Sequence, residues 1–231
     1  FTEKNKALLK KSIEIWNGVE RSEKIDLARA TVFRNKLGLS QSEILITMIG
    51  RINRWKGQTM FVQAAEVIYE KGFRNVYYLI VGGVPPAGDF CKDELLQQIS
   101  ISKAKNKIKV LDYTSNIWTI WDACDIAVVP STEPEPFGRV AVEAMLAKKP
   151  VVAANHGGLS EIVENDKTGI LFEPLSVSAL VEALLDLITN REKRETLGKN
   201  GFLRAQKMFA EKKTVESFEQ IYETICSNRS Q

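Results

Sequence analysis

Glu135 and Glu143 stand eight residues apart within STEPEPFGRVAVEAM, residues 131–145. The segment 139–148 has helical composition and is apolar on nearly every side, with Val140, Ala141, Val142, Ala144, Met145, Leu146 and Ala147 around Glu143. A helix apolar all round is normally buried, and a carboxylate inside it is costly unless it is paired or hydrogen-bonded. The run that precedes it, Asp125-Ile-Ala-Val-Val-Pro130, reads as a buried parallel strand stopped by a proline that cannot donate to a sheet ladder. Strand, loop and helix in that order put the helix entry at Phe137-Gly138, on the carboxyl edge of a sheet. Such an entry carries free N–H groups and partial positive charge, so it binds phosphate. Glu143 lies five residues past Gly138, about 7.5 Å along the axis. That distance suits a hydroxyl-bearing group, such as a ribose diol, joined to a phosphate held at the helix end. Glu135 falls in the loop on the far side of the same phosphate.

Two cations supply the complementary charge. An apolar run, 44–49, reads as a buried strand. Gly50-Arg51 follows at its carboxyl end, and Lys56-Gly57 opens the next predicted helix, which runs through Tyr69. Arg51 and Lys56 thus flank a βα loop, where open α/β sheets bind ligands. Arginine suits a forked phosphate contact and lysine a point charge. Bonds to charged groups contribute roughly 1.5–3 kcal/mol each, enough for this pair to hold much of an anion's affinity. Read without the glutamates, the two cations are equally well solvent-facing loop residues. Trp55 between them either shields the site or packs on the surface.

The elements that must position these groups recur along the chain. Strands are predicted near residues 13, 44, 76, 108, 126, 151 and 170, alternating with helices. That alternation is the pattern of a parallel sheet covered on both faces, an α/β fold. The whole chain, 1–231, reads as one Rossmann-like domain with no internal linker. Helices are predicted over 27–39, 93–104, 117–124, 180–188, 191–208 and 215–225, and residues 1–12 read as the end of a helix or a loop. Gly82-Gly83 reads as backbone room beside a neighbouring loop, and residues 85–88 as a variable loop. Gly157 and Gly158 would let backbone approach a ligand closely. His156, alone before that pair, reads as structural.

Glu135-Pro-Phe-Gly, then Glu143-Ala-Met, Pro150-Val-Val-Ala and Gly157-Gly158-Leu-Ser-Glu161, resembles the nucleotide-sugar-binding half of retaining GT-B glycosyltransferases. This group includes many bacterial polysaccharide transferases and sucrose synthase, and the likeness covers about residues 13–225. The resemblance implies that Gly50, Arg51 and Lys56 hold the donor diphosphate. It implies that the backbone at Phe137, Gly138, Arg139 and Val140 adds donors, that Glu135 bonds the donor sugar, and that Glu143 bonds the ribose. It places the nucleobase near Tyr113, which stands either beside the base or as aromatic filler. The family usually has glycine where this chain has Asp112. The donor would be a UDP- or GDP-sugar, with no bound metal and no other cofactor. In this family a preceding domain binds a glycan or lipid-linked acceptor, and the last helix, here about 211–227, crosses back to it. The chain begins at Phe1 in mid-pattern and is expected to be the C-terminal half of such an enzyme, inactive when cut from it. A GT-B epimerase, a phosphorylase, or a nucleotide-sugar-binding module without catalysis are the other readings.

Composition narrows the classes further. The 32 basic and 29 acidic residues are too balanced to imply nucleic acid. Cys91, Cys124 and Cys226 are odd in number and widely spaced, which fits neither a metal set nor a disulfide framework and favours a reducing compartment. No apolar run approaches the roughly 18 residues of a membrane span. The expected place is the cytoplasm, with the family leaving room for peripheral association of the intact enzyme with the inner membrane face and a role in lipopolysaccharide or other polysaccharide synthesis.

Overall fold

The computed structural model describes residues 12–84 and 89–229; the expected variable loop at 85–88 and the chain start before residue 12 lie outside these. Six parallel strands form one sheet: β1 (Ile44–Ile49), β2 (Val76–Val81), β3 (Ile108–Leu111), β4 (Ile126–Val129), β5 (Val151–Ala154) and β6 (Gly169–Phe172). Their order is β3-β2-β1-β4-β5-β6. The helices are α1 (Leu27–Lys36), α2 (Gln58–Glu70), α3 (Asp89–Ile101), α4 (Ile117–Ala123), α5 (Arg139–Leu146), α6 (Leu159–Ile162), α7 (Val177–Thr189), α8 (Arg191–Met208) and α9 (Glu211–Arg229).

The strand sequences are nearly all apolar, with Thr47 in β1 and Lys109 in the edge strand β3 as exceptions, because both sheet faces are covered. Successive side chains on β1 alternate between two cores. Leu45 joins Leu79, Val81, Ile120 and Ala123 under α1 and α4. Ile46 and Met48 join Phe61, Tyr78, Ile80 and the larger core on the other side. α7 buries Leu180, Val181, Leu184, Leu187 and Ile188, spacings of three and four that make one helix face. The Ser176 side chain caps its first turn by accepting from Ala179 N at 3.2 Å.

One expected strand is absent. Residues 13–16 pair with no strand, because their hydrogen bonds and rings go elsewhere. Thr214 Oγ1 donates to Trp16 O at 2.8 Å, and Val19 N donates to Phe209 O at 2.8 Å. The Trp16 ring meets Phe137 at 6.3 Å and Phe209 at 5.6 Å between centroids, and Phe137 meets Phe209 at 5.8 Å. The segment is therefore tied to the ends of α8 and α9 and to the entry of α5.

The strand order reverses direction between β1 and β4. Ligands of open α/β sheets bind at the carboxyl ends beside such a switch point. Here those ends are Ile49-Gly50-Arg51 and Val129-Pro130-Ser131, which carry the loops singled out by their chemistry. The two loops are fitted closely. A Cβ on Gly57, whose φ is +83°, would sit 1.9 Å from Pro130 O, and Thr132 N donates to Trp55 O at 2.8 Å. Gly82 gives room to the same region, since its Cβ would meet Gly50 O at 1.9 Å.

Candidate functional site

A cavity of about 460 Å³ opens at the switch point. Lys56, Ser131, Glu135, Phe137, Gly138, Arg139 and Val140 line it, with Asn17, Gly18 and Val19 on one side and the ends of β1 and β4 as its floor. Gly138 caps α5 at φ +104°, and among the described residues no side chain caps this end. Gly138, Arg139 and Val140 of this entry line the cavity with their amides taken by no described side chain, while Ala141 N donates to Gly138 O. A side chain at Gly138 would bring a Cβ within 2.6 Å of Leu159 Cδ2, so glycine is needed both for the turn and for the packing behind it.

Glu135 is buried, and both of its close partners bind one oxygen. Lys56 Nζ and Ser131 Oγ each stand 2.5 Å from Glu135 Oε1. The Lys56 ammonium also lies 4.3 Å from the centre of the Trp55 ring, which answers the open reading of Trp55: it packs over the cation. The backbone around Glu135 is held by Gly158 N, which donates to Glu135 O at 2.8 Å, and by a bridge between Glu135 and Gly157. Cβ atoms on Gly157 and Gly158 would strike Glu135 and Phe137 backbone. The glycine pair thus brings backbone close to the acidic loop rather than to open cavity. His156 donates from Nε2 to Ser131 O at 2.9 Å and steadies the same loop.

Glu143 is buried as expected and is paired. Arg139 Nε donates to Glu143 Oε1 at 2.9 Å from the rim of the cavity. Burial raises the Glu143 carboxyl above the usual carboxylate range, and Arg139 only partly offsets this. Trp121 lies near enough to favour the charged form a little, yet its buried Nε1–H closes no hydrogen bond with an acceptor.

Of the other sequence-derived residues, Gly50, Arg51 and Tyr113 are not among those lining the cavity. Arg51 is exposed at the end of β1, with its carbonyl accepting from Gln58 Nε2 at 2.8 Å and no ion pair among the described residues. Gly50 N donates to Val81 O beneath it. Tyr113 is 76% exposed, so it is not buried filler, and it sits over Gly83. Asp112, where the family usually has glycine, binds Lys92 at 2.5 Å. Phe137 contributes its ring to the Trp16–Phe209 cluster as well as its backbone to the helix entry. Sequence reasoning missed Ser131, whose hydroxyl reaches Glu135 four residues on; residues 17–19, which read equally as a surface turn or as the Asn-Gly-Val turn that the family carries after its interdomain hinge, form one wall of the cavity. Cys124 is a core residue whose thiol burial pushes up to about 11, so it is protonated at neutral pH. Among the described residues no three histidine, cysteine or acidic side chains gather as a metal ligand set. No helix there is long and apolar enough to cross a membrane.

Residues 30–204 match the family model described as glycosyl transferases group 1. The chain belongs to the group 1 glycosyltransferases. As a member of that group it is 33% identical over 165 residues to a D-inositol 3-phosphate glycosyltransferase of Corynebacterium urealyticum, covering 70% of this chain and 38% of that protein. It is 27% identical over 209 residues to the capsular polysaccharide biosynthesis glycosyltransferase CapM of Staphylococcus aureus, covering 90% of this chain and 53% of the relative. Anabaena Alr3699/HepE, crystallised in complex with UDP and glucose, superposes with a TM-score of 0.80 at 32% identity, over 92% of this chain and 56% of that one. The six-stranded parallel sheet with helices around it is the C-terminal Rossmann-like domain of the GT-B fold. This group 1 chain spans about half the length of CapM and of HepE, and less of the inositol phosphate enzyme.

Proposed function

We propose that this chain is the donor-binding domain of a retaining glycosyltransferase, which moves a hexose from a nucleotide-sugar to a glycan or lipid-linked acceptor in surface polysaccharide synthesis. The observation that carries the reading is the cavity at the β1–β4 switch point. Its lining combines an uncapped helix entry, Lys56 and the buried Glu135, and the buried Glu143 stands behind it on α5, paired with the lining residue Arg139. The UDP complexes of HepE and the capsular role of CapM support the donor and acceptor classes.

In this proposal the diphosphate lies at the α5 entry. Lys56, joined by Arg51 swinging in from the end of β1, neutralises it as charge develops on the leaving group. The amides near Phe137, Gly138, Arg139 and Val140 complete that cradle. Glu135 takes hydroxyls of the sugar, Glu143 takes the ribose diol, and the base lies towards Tyr113 at the end of β3. An acceptor hydroxyl presented by a second domain attacks the anomeric carbon from the face the diphosphate leaves, its proton passes to an oxygen of that diphosphate, and the bond to the diphosphate oxygen breaks with its electron pair leaving on the nucleotide. By itself the 231-residue chain binds donor without transferring it. Calorimetry with UDP, GDP, UDP-glucose and GDP-mannose tests the reading. Binding of a nucleoside diphosphate at millimolar concentration or below is expected, and no binding of either base overturns it.

A further inference from the structure

We propose that Ser131 is the positioning residue of the Glu135 carboxylate, an inference that rests on the reading of Glu135 as the sugar-contacting group. Ser131 is fully buried and its hydroxyl donates to Glu135 Oε1 at 2.5 Å. Its carbonyl is in turn fixed by His156 Nε2 at 2.9 Å. The Glu135 main chain is already constrained by Pro134 and Pro136 on either side and by the bond from Gly158 N. What stays free is rotation of its side chain. Two donors stop that rotation, Ser131 and Lys56, and both act on Oε1. Oε2 has no hydrogen-bond partner among the described residues and belongs to a side chain that lines the cavity.

The two donors are not equivalent. Lys56 is the group that an incoming diphosphate claims, and once its ammonium turns to phosphate it no longer holds Oε1. Ser131 has no such competitor. It keeps Oε1 anchored while Lys56 changes partner, and Oε2 then stays aimed at the sugar hydroxyls. Without Ser131 the carboxylate follows the lysine or swings free, and the sugar loses its acceptor. A bare nucleoside diphosphate has no sugar and is indifferent to the loss.

The test is calorimetry on the 231-residue chain and its Ser131→Ala and Ser131→Thr variants, using UDP with UDP-glucose and GDP with GDP-mannose. The readout is the Kd of the sugar donor divided by that of the bare diphosphate, for the base that the wild type binds. Ser131→Ala is expected to raise this ratio about tenfold, the size of one hydrogen bond to a charged group, with bare diphosphate affinity within about twofold; it also melts lower, because the same bond is present in the ligand-free fold. Ser131→Thr keeps the hydroxyl and is expected to restore the ratio. Equal weakening of both ligands in Ser131→Ala overturns the inference, since it marks a loop defect, and so does an unchanged ratio. Failure of the wild type to bind either pair overturns the donor reading itself and the inference with it.

Discussion

Arg139 Nε lies 2.9 Å from Glu143 Oε1, one helical turn away, yet Arg139 is 68% exposed and Glu143 only 7%. Helix stability does not account for this pair. An acid C-terminal to its base is the weaker order on a helix, and a cation in the first turn opposes the helix dipole. In the proposed function the exposed Arg139 is drawn away and Glu143 takes the ribose hydroxyls in its place.

Glu143→Ala is therefore expected to weaken nucleotides that carry a ribose diol about tenfold, and to change the affinity of a 2′,3′-dideoxy analogue by less than about twofold. Calorimetry with both ligands reads the ratio. A variant that melts lower but keeps the wild-type ratio would show that Glu143 serves the fold and not the ribose.

Burial favours the neutral form of Glu143 in the folded chain, so its pKa there exceeds its unfolded value. The folded state then holds the proton more tightly, and stability is lost as pH rises from the unfolded pKa through the raised folded one. Glu143→Gln removes that loss. It should melt higher than wild type at pH 7, with the gap closing near pH 4. Calorimetric melting across this range tests the sign, and a lower melting temperature for the variant at pH 7 sinks it.

In the Lys56–Glu135 pair the glutamate is buried and the lysine half-buried, so removing Lys56 strands a buried carboxylate. Lys56→Ala should lower stability by about 2–3 kcal/mol in urea titrations, and the double variant Lys56→Ala, Glu135→Gln should recover most of it. Additive losses in that cycle would mean that the two side chains act separately. Diphosphate affinity should fall in every variant that lacks Lys56.

Val215, Phe218, Tyr222 and Ile225 make an exposed apolar stripe on α9, at spacings of three and four. In the proposed two-domain enzyme this stripe is covered by the rest of the protein. Hydrogen exchange on residues 215–225 should be at least about tenfold slower in the longer protein than in the 231-residue chain. Equal exchange in both would remove α9 as a link between domains.

The apolar runs at 44–49, 76–81 and 126–129, broken only by Thr47, made their strands legible, because a run of that length has to be covered on both faces. Glu143 was legible for the opposite reason, as one charge in an apolar helix. Residues 13–16 misled because weak alternation looks the same whether a segment joins a sheet or packs its rings on Phe137 and Phe209. The charge pairs were the harder part. Nothing in the spacing of Lys56 and Glu135, 79 residues apart, reveals that they meet. Ser131 is one polar residue in a polar loop, and only the folded turn brings its hydroxyl to Glu135.

Trp16, Phe137 and Phe209 form a single knot where the incoming segment, the entry of α5 and the end of α8 come together. The backbone bond from Val19 N to Phe209 O and the side-chain bond from Thr214 Oγ1 to Trp16 O tighten it from both sides. Phe137, the residue next to the Gly138 turn, is thus riveted by ring contacts to both flanking segments, so the entry of α5 cannot shift without carrying Trp16 and Phe209 with it.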